Sequence, residues 1–299
     1  MKENSLTSVK LKFLFAIFLY GTVGLFLRLI KYPTDIVVAM RSGIGAATMI
    51  AIIKARHIPI DTKRMKQTIG PLILSGFFLG MNWICLFSAY RHTTVAIASL
   101  CNYTAPIIAI LIAPLFLKER ITWKKALCVA VAAVGMILIS GVGPGSASDV
   151  NPVGIAFGMG AALAFVGIVM CNRLVSEVGA YERAAVQLSA AFVTALVNVF
   201  IQSVGRSVAF DLKSTILCII LGVLHTGCAY AFYFDGLANL PLTTYAVLGY
   251  FEPVISVLIS VIVLHEHMAA AGWVGTVCII GAALASELIT MRESPGDDS

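Results

Sequence analysis

The chain has 299 residues, of which 59% are hydrophobic and only 12% charged, with a formal net charge of +6. A soluble domain carries nearer ~25% charged residues, so the composition excludes a soluble globular protein and points to an all-α integral membrane protein. The basic balance need not mean nucleic acid, because lysine and arginine of membrane proteins collect in cytoplasmic loops.

A bilayer core of about 30 Å takes roughly 20 apolar helical residues to cross. The N-terminal stretch MKENSLTSVKLKFLFAIFLYG resembles a signal peptide, but it lacks a small-x-small cleavage site and its apolar run continues to Leu27. It is therefore expected as a retained first span, at about 12–30. Nine more apolar segments follow at about 35–54, 70–90, 93–117, 124–141, 152–174, 180–203, 213–234, 240–264 and 271–290. The breaks between them are short and carry punctuation, as in KYPTD, KARHIPIDTKRMK and GVGPGSASD. None is long enough for a soluble domain.

The charges orient the ten expected spans. Of the 21 Lys and Arg, fifteen fall on the side of the N-terminus, and five (Arg28, Lys31, Arg91, Arg206, Lys213) fall on the other. Arg41 lies inside a span. This bias places both termini in the cytoplasm, with 292–299 as a cytoplasmic tail. It also accounts for the basic charge, so no nucleic-acid partner is expected.

The two halves, 1–143 and 150–291, align at a constant offset of 147 residues: Gly80 matches Gly227, Tyr103 matches Tyr250, Pro106 matches Pro253 and Glu119 matches Glu266. Each half holds five expected spans. Five is odd, so the second copy enters the membrane the other way up. Inverted repeats are a recurrent transporter design with the site near the midplane at the repeat interface. Two inverted halves that exchange conformations give inward-open and outward-open states of similar energy, which a receptor or membrane enzyme does not need. One chain holds both halves, so a monomer suffices.

NYTAPIIAILIAPLFLKERITWKKALCVAVAAVG closes the first half and GYFEPVISVLISVIVLHEHMAAAGWVGTVCIIGA the second. With their mid-span prolines, closing glutamates and late glycines (Gly135, Gly281), they resemble the ten-span EamA-type branch of the drug/metabolite transporter superfamily. The resemblance implies a solute carrier with a central cavity, working by alternating access in the cytoplasmic membrane and often exporting amino acids or other small metabolites. An importer of amines or quaternary ammonium compounds stands as the alternative, and a non-transporting membrane scaffold as a third.

Pro106 and Pro253 each remove one backbone hydrogen bond and crowd the carbonyl four residues earlier, at Asn102 and Gly249. They kink helices 4 and 9, either around a cavity or as packing devices. On span 9, Tyr245, Gly249, Glu252, Ser256 and Ser260 form one stripe, matched on span 4 by Ala98, Asn102, Ala105, Ala109 and Ala113. Small residues can mean tight packing, but Glu252 must reach water or a partner. It has no counterpart in the first half, where Ala105 stands. Glu252 leads the candidate substrate-binding or coupling residues: it can carry a coupling proton or pair with a substrate amine. Asn102, Trp83, His225, Tyr230 and Tyr250 follow, with Arg41 as the other intramembrane charge. Arg41 could pair with Glu252 across the midplane or snorkel outward.

Trp83, Phe87 and Tyr90 give span 3 an aromatic face, and Tyr230 and Phe234 do the same for span 8. Such faces stack apolar rings, hold a cation or simply pack. Glu119 and Glu266 sit where the next helix begins and read as helix caps. The seven cysteines lie in apolar runs and form neither a CxxC nor a Cys/His cluster, so they read as small buried hydrophobes. His265-Glu266-His267 is a poor metal pattern, because alternate positions on a loop seldom complete a four-ligand site. No catalytic residue, metal or cofactor is expected. The expected partners are a small-molecule substrate, a coupling proton and the lipid bilayer.

Overall fold

The computed structural model describes residues 2–109, 111, 122–140, 151–175, 178–202, 208–240 and 248–293. Among the described residues the regular structure is helical, without strands. In chain order the helices are α1 (Lys2–Leu29), α2 (Thr34–Ala55), α3 (Thr62–His92), α4 (Val95–Asn102), α5 (Trp123–Ser140), α6 (Pro152–Arg173) and α7 (Ala180–Gln202). Then α8 runs from Leu212–Gly222 through a π-helical turn, Val223–Cys228, into Ala229–Asn239. α9 (Phe251–Leu258) ends in a second π-helical turn, Ile259–Val263, and α10 is Ala270–Glu293.

Six helices are long and apolar enough to cross a membrane: Thr7–Leu29, Thr34–Ala55, Thr62–His92, Pro152–Arg173, Ala180–Gln202 and Leu212–Gly236. Shorter apolar helices at Val95–Ala109, Ala126–Leu138, Phe251–Val263 and Ala270–Ser286 overlap the other four expected segments. Large apolar side chains point outward, as at Phe200 (81% exposed), Val277 (71%) and Ile137 (58%). In water such a surface would be a liability, whereas in a bilayer it is the solvent-facing side. The protein is a multi-pass membrane protein.

Polar caps start several helices where the sequence places them. Asp61 accepts from the backbone of Lys63 and Arg64, which starts α3 at Thr62, ahead of the expected position near 70. Thr94 caps α4, Asn151 caps α6 with Pro152 in the first turn, and Asp211 caps α8. The two repeated prolines lie just past breaks rather than in mid-helix. α4 stops at Asn102, turns through Tyr103 and Thr104, and is helical again from Ala105, with Pro106 in that new first turn. Likewise Tyr250 forms a turn, and Pro253 follows in the first turn of α9. There the missing N–H costs little, since first-turn donors have no helical partner.

The helices pair as α3 on α6, α1 on α8, α3 on α7, α2 on α8, α4 on α6, α1 on α9, α2 on α7, α5 on α10 and α4 on α9. The main apolar core lies among α1, α2, α3, α7 and α8. Two close approaches require glycine. A Cβ at Gly76 would stand 2.6 Å from the Gln187 carbonyl oxygen, so α3 and α7 touch backbone to backbone. A Cβ at Gly21 would stand 2.5 Å from Ile255 and 3.1 Å from the Glu252 carbonyl, which pins α1 against the first turn of α9. Glu119 and Tyr245 lie outside the described residues.

Candidate functional site

Glu252 opens the first turn of α9, deep in the protein and encircled by it, yet its side chain remains partly accessible. A carboxylate in that position faces an internal space rather than a packed core. It interacts with the Tyr103 side chain, presented by the turn that interrupts α4. Tyr20, Tyr103 and Tyr230 share the same condition, enclosed but half-buried. No described atom lies within 4 Å of a Cβ built at Gly249, one turn before Glu252. These groups are the candidate lining of the central cavity expected from the sequence.

A cation lies within electrostatic reach of these groups. Arg41, only 4% exposed, does not snorkel. Its Nε donates to Thr226 Oγ1 at 2.8 Å, and its guanidinium lies 4.3 Å over the Trp83 ring and 5.3 Å over Phe87. Thr226 sits in the π-helical turn of α8, and its hydroxyl donates to the Leu221 carbonyl at 2.9 Å. The widened turn thereby fixes the oxygen that fixes Arg41. Among the described residues Arg41 belongs to no ion pair; those are Arg28–Glu266, Arg56–Asp235 and Arg64–Asp61. Arg41 and Glu252 interact electrostatically across the cavity without closing on each other.

Aromatic rings complete the lining. Tyr20 meets Tyr230 and Tyr233 edge-on at 5.8 and 5.9 Å, and Tyr230 meets Phe234 at 5.8 Å. His225 is buried in the same π turn, 3.1 Å from Thr22 Oγ1 and 4.5 Å from the Phe26 ring. Asn102, at the end of α4, accepts from Asn82 Nδ2 at 2.9 Å, and Asn82 also donates to the Ala161 carbonyl. Tyr250 is half-buried in the turn before α9. Gln187 donates to Ser75 and Asn172.

Glu252, Arg41, Trp83 and Tyr230 thus come together, while His225 and Asn102 stand behind them in polar clusters of their own. Sequence reasoning missed Tyr20, Thr22, Tyr103 and Thr226 as site residues. The available signal was polar residues inside apolar runs, as at Tyr20 with Thr22 and at Thr226 beside His225. Glu266 needs a correction. It does not cap α10, which begins at Ala270; its carboxylate accepts from Arg28 at 2.5 Å, from the Val95 N–H at 2.8 Å and from Ser260 at 2.5 Å. It caps α4, far away in sequence.

The two ends of the bundle carry polar clusters. At one end stand Arg28, Glu266 and Thr93, with Tyr32 bonded to Thr215 at 2.7 Å beside Asp211. Hydrogen bonds from the Ser214 side chain and backbone, aided by Lys31 and Lys213, hold the Asp211 carboxyl below the usual carboxylate range. At the other end Arg56 donates to Tyr181 at 2.7 Å and pairs with Asp235 at 3.2 Å, while Tyr181 also bonds Asp235. Burial draws Arg56 down, but its hydrogen bonds and charge interactions with Asp235 and Tyr181 together outweigh this, so its pKa stands above the ordinary value. Among the described residues no three His, Cys, Asp or Glu side chains gather as a metal site.

A cleft of about 1000 Å³ lies between α2, α3 and α7, lined mainly by apolar side chains such as Ile69, Ile73, Phe77 and Val193. Ile73 and Phe77 are exposed, so the cleft opens toward lipid. Its lining is mostly apolar, with Lys54 and Glu182 among its few polar groups, and the Glu252 cluster remains the better candidate.

Residues 8–141 and 152–286 match the model of the EamA-like transporter family. The uncharacterized transporter YxxF of Bacillus subtilis (strain 168) is 21% identical over 263 residues, covering 87% of this chain and 83% of that protein. The uncharacterized transporter YojE of the same organism is 28% identical over 214 residues, 71% and 68% of the two chains. The threonine/homoserine exporter RhtA of Escherichia coli (strain K12) is 25% identical over 263 residues, 86% and 83%. A solved crystal structure superposes with a TM-score of 0.63 at 23% identity, covering 94% of this chain and 99% of that one, a likeness of fold.

Proposed function

The chain belongs to the EamA-like transporter family within the drug/metabolite transporter superfamily, and from that premise we propose that it exports small zwitterionic solutes across the cytoplasmic membrane by alternating access. The observation that carries this reading is the Glu252 cluster: one carboxylate and one guanidinium within electrostatic reach, forming no ion pair with each other, with tyrosines around them. Such a cavity offers an anchor for an ammonium at Glu252 and one for a carboxylate at Arg41. Glu252 also serves as the carrier of a coupling proton, because proton and ammonium compete for one carboxylate. RhtA, named as a threonine/homoserine exporter, makes those two amino acids the first solutes to test.

The ten-span inverted repeat belongs to this proposal. Exchanging α1–α5 with α6–α10 turns α3 on α6 into α8 on α1, α3 on α7 into α8 on α2, and α4 on α6 into α9 on α1, all of which occur. The pairs α2–α7, α4–α9 and α5–α10 map onto themselves. This supports a two-fold axis through the bundle. The charge bias puts the Arg28 end outside and the Arg56 end, with both termini, in the cytoplasm.

Import of an amine or quaternary ammonium compound is the competing reading. The fixed cation Arg41 within the cavity disfavours it, since a ligand with no negative group would leave that charge uncompensated. The deciding experiment is flux of radiolabelled threonine and homoserine in proteoliposomes, with pH gradients of both signs. Solute movement that follows the proton gradient and is lost in Glu252→Gln supports the proposal; normal, pH-indifferent flux in that variant removes Glu252 from it.

A further inference from the structure

α4 and α9 meet along a seam of three polar rungs, each four residues back along α4 and four onward along α9. The two helices therefore run antiparallel, with about 6 Å between rungs. The innermost rung is Tyr103 with Glu252. The second is Ser99 Oγ to Ser256 Oγ at 2.6 Å, with the Tyr90 hydroxyl 3.0 Å from Ser99. In the third, the Val95 N–H and the Ser260 hydroxyl both donate to Glu266 Oε2, at 2.8 and 2.5 Å. Glu266 Oε1 then takes Arg28 at 2.5 Å, and Arg28 reaches on to the Thr93 carbonyl at 2.7 Å. Ser99, Ser256 and Ser260 are 3%, 4% and 1% exposed.

A seam that only had to pack would be built from apolar groups, because buried hydroxyls are costly unless each finds a partner. Paired hydroxyls have a property that aliphatic contacts lack: when the seam parts, water replaces each bond at little net cost. The backbone at the end of the seam is also specialised. His265 adopts a φ of 53°, a left-handed conformation that non-glycine residues rarely take. It turns the chain so that Glu266 points back across the seam to α1 and α4. A residue is held this way where its surroundings over-determine it, and Glu266 has contacts to α1, α4 and α9. The ion pair is only partly covered, with 31% of the Arg28 side chain and 14% of the Glu266 side chain exposed, so water can reach it. On the far side of Glu252 from the seam, the position of Gly249 faces open space.

We infer that the α4–α9 seam, latched by Arg28 and Glu266, is the gate between the Glu252 cavity and the Arg28 face, and that Ser99 and Ser256 are its hinge-side closure. The inference rests on the transport reading for its purpose, but the gate itself is tested by accessibility without any substrate. The probe is a small membrane-impermeant methanethiosulfonate applied to each face in turn, reacting with Gly249→Cys above the labelling of the parent chain. Arg28→Gln and Glu266→Gln each raise labelling from the Arg28 face about three- to fivefold, the scale of a partly exposed ion pair, and leave labelling from the Arg56 face unchanged. In Ser99→Cys/Ser256→Cys, oxidation abolishes labelling from the Arg28 face and a reductant restores it. Labelling that ignores both the latch variants and the oxidation, or its absence from both faces in every variant, overturns the gate. Radiolabelled threonine and homoserine flux separates the two readings. Flux through the oxidised double cysteine at the parent's rate sinks the gate and spares transport. Gated labelling with no flux in any variant spares the gate and sinks transport of these solutes.

Discussion

Arg41 and Glu252 interact electrostatically inside the bundle and form no ion pair with each other. Thr226 and the rings of Trp83 and Phe87 hold the first, and Tyr103 holds the second. Two opposite charges this deep would gain by closing on each other. That each is held by a neutral partner instead leaves both available to a solute, and several expectations follow from the arrangement.

Glu252→Gln keeps the Tyr103 contact and removes the titrating group. Zwitterion flux in proteoliposomes should fall about tenfold, the equivalent of ~1.4 kcal/mol, and the remaining flux should not vary with pH. The parent chain's flux should follow the proton gradient over the same range.

Thr226→Val removes the oxygen that orients Arg41 while keeping the side chain's shape. The lost charged hydrogen bond is worth about 1.5–3 kcal/mol. Competition binding should show weaker affinity for threonine, with no loss for its amino alcohol, which keeps the ammonium and lacks the carboxylate. Equal losses for both would mean that Thr226 acts on the fold and not on Arg41.

Gly76→Val places side-chain atoms where the Gln187 carbonyl already stands. Neither backbone can give way easily, so overpacking should cost about 1–3 kcal/mol. Thermal unfolding in detergent should show a lowered Tm, whereas Gly70→Ala, where a Cβ meets nothing within 4 Å, should change it little.

Asp211 lies ahead of α8, outside the span, and its bonds from Ser214 keep its carboxyl below the ordinary range. The folded protein therefore holds this proton less tightly than the unfolded chain, so its contribution is present above the ordinary carboxyl value of about 4 and is lost as the pH falls through the lower folded value. Asp211→Asn should lower the Tm slightly at neutral pH, and the difference from the parent should shrink on acidification below about pH 4. A gap that widens on acidification would contradict the assignment.

The sequence by itself determined that the chain lives in a bilayer, that it is helical, and which family it resembles. These depend on composition and on periods of a few residues, both written locally. It also singled out Glu252, because an unmatched carboxylate in a small-residue stripe is costly wherever the chain goes. Only the tertiary structure decided who stands opposite. Tyr103 reaches Glu252 because α4 breaks just before Pro106, and Arg41 bonds Thr226 because a π turn in α8 puts that hydroxyl beneath it. Glu266 reads locally as the start of the next helix, yet it reaches Arg28 and Val95 across 238 and 171 residues of chain. Such contacts are set by helix register and close approach at glycines such as Gly21 and Gly76. A local pattern carries no record of them, since any of several faces could have met the same partner.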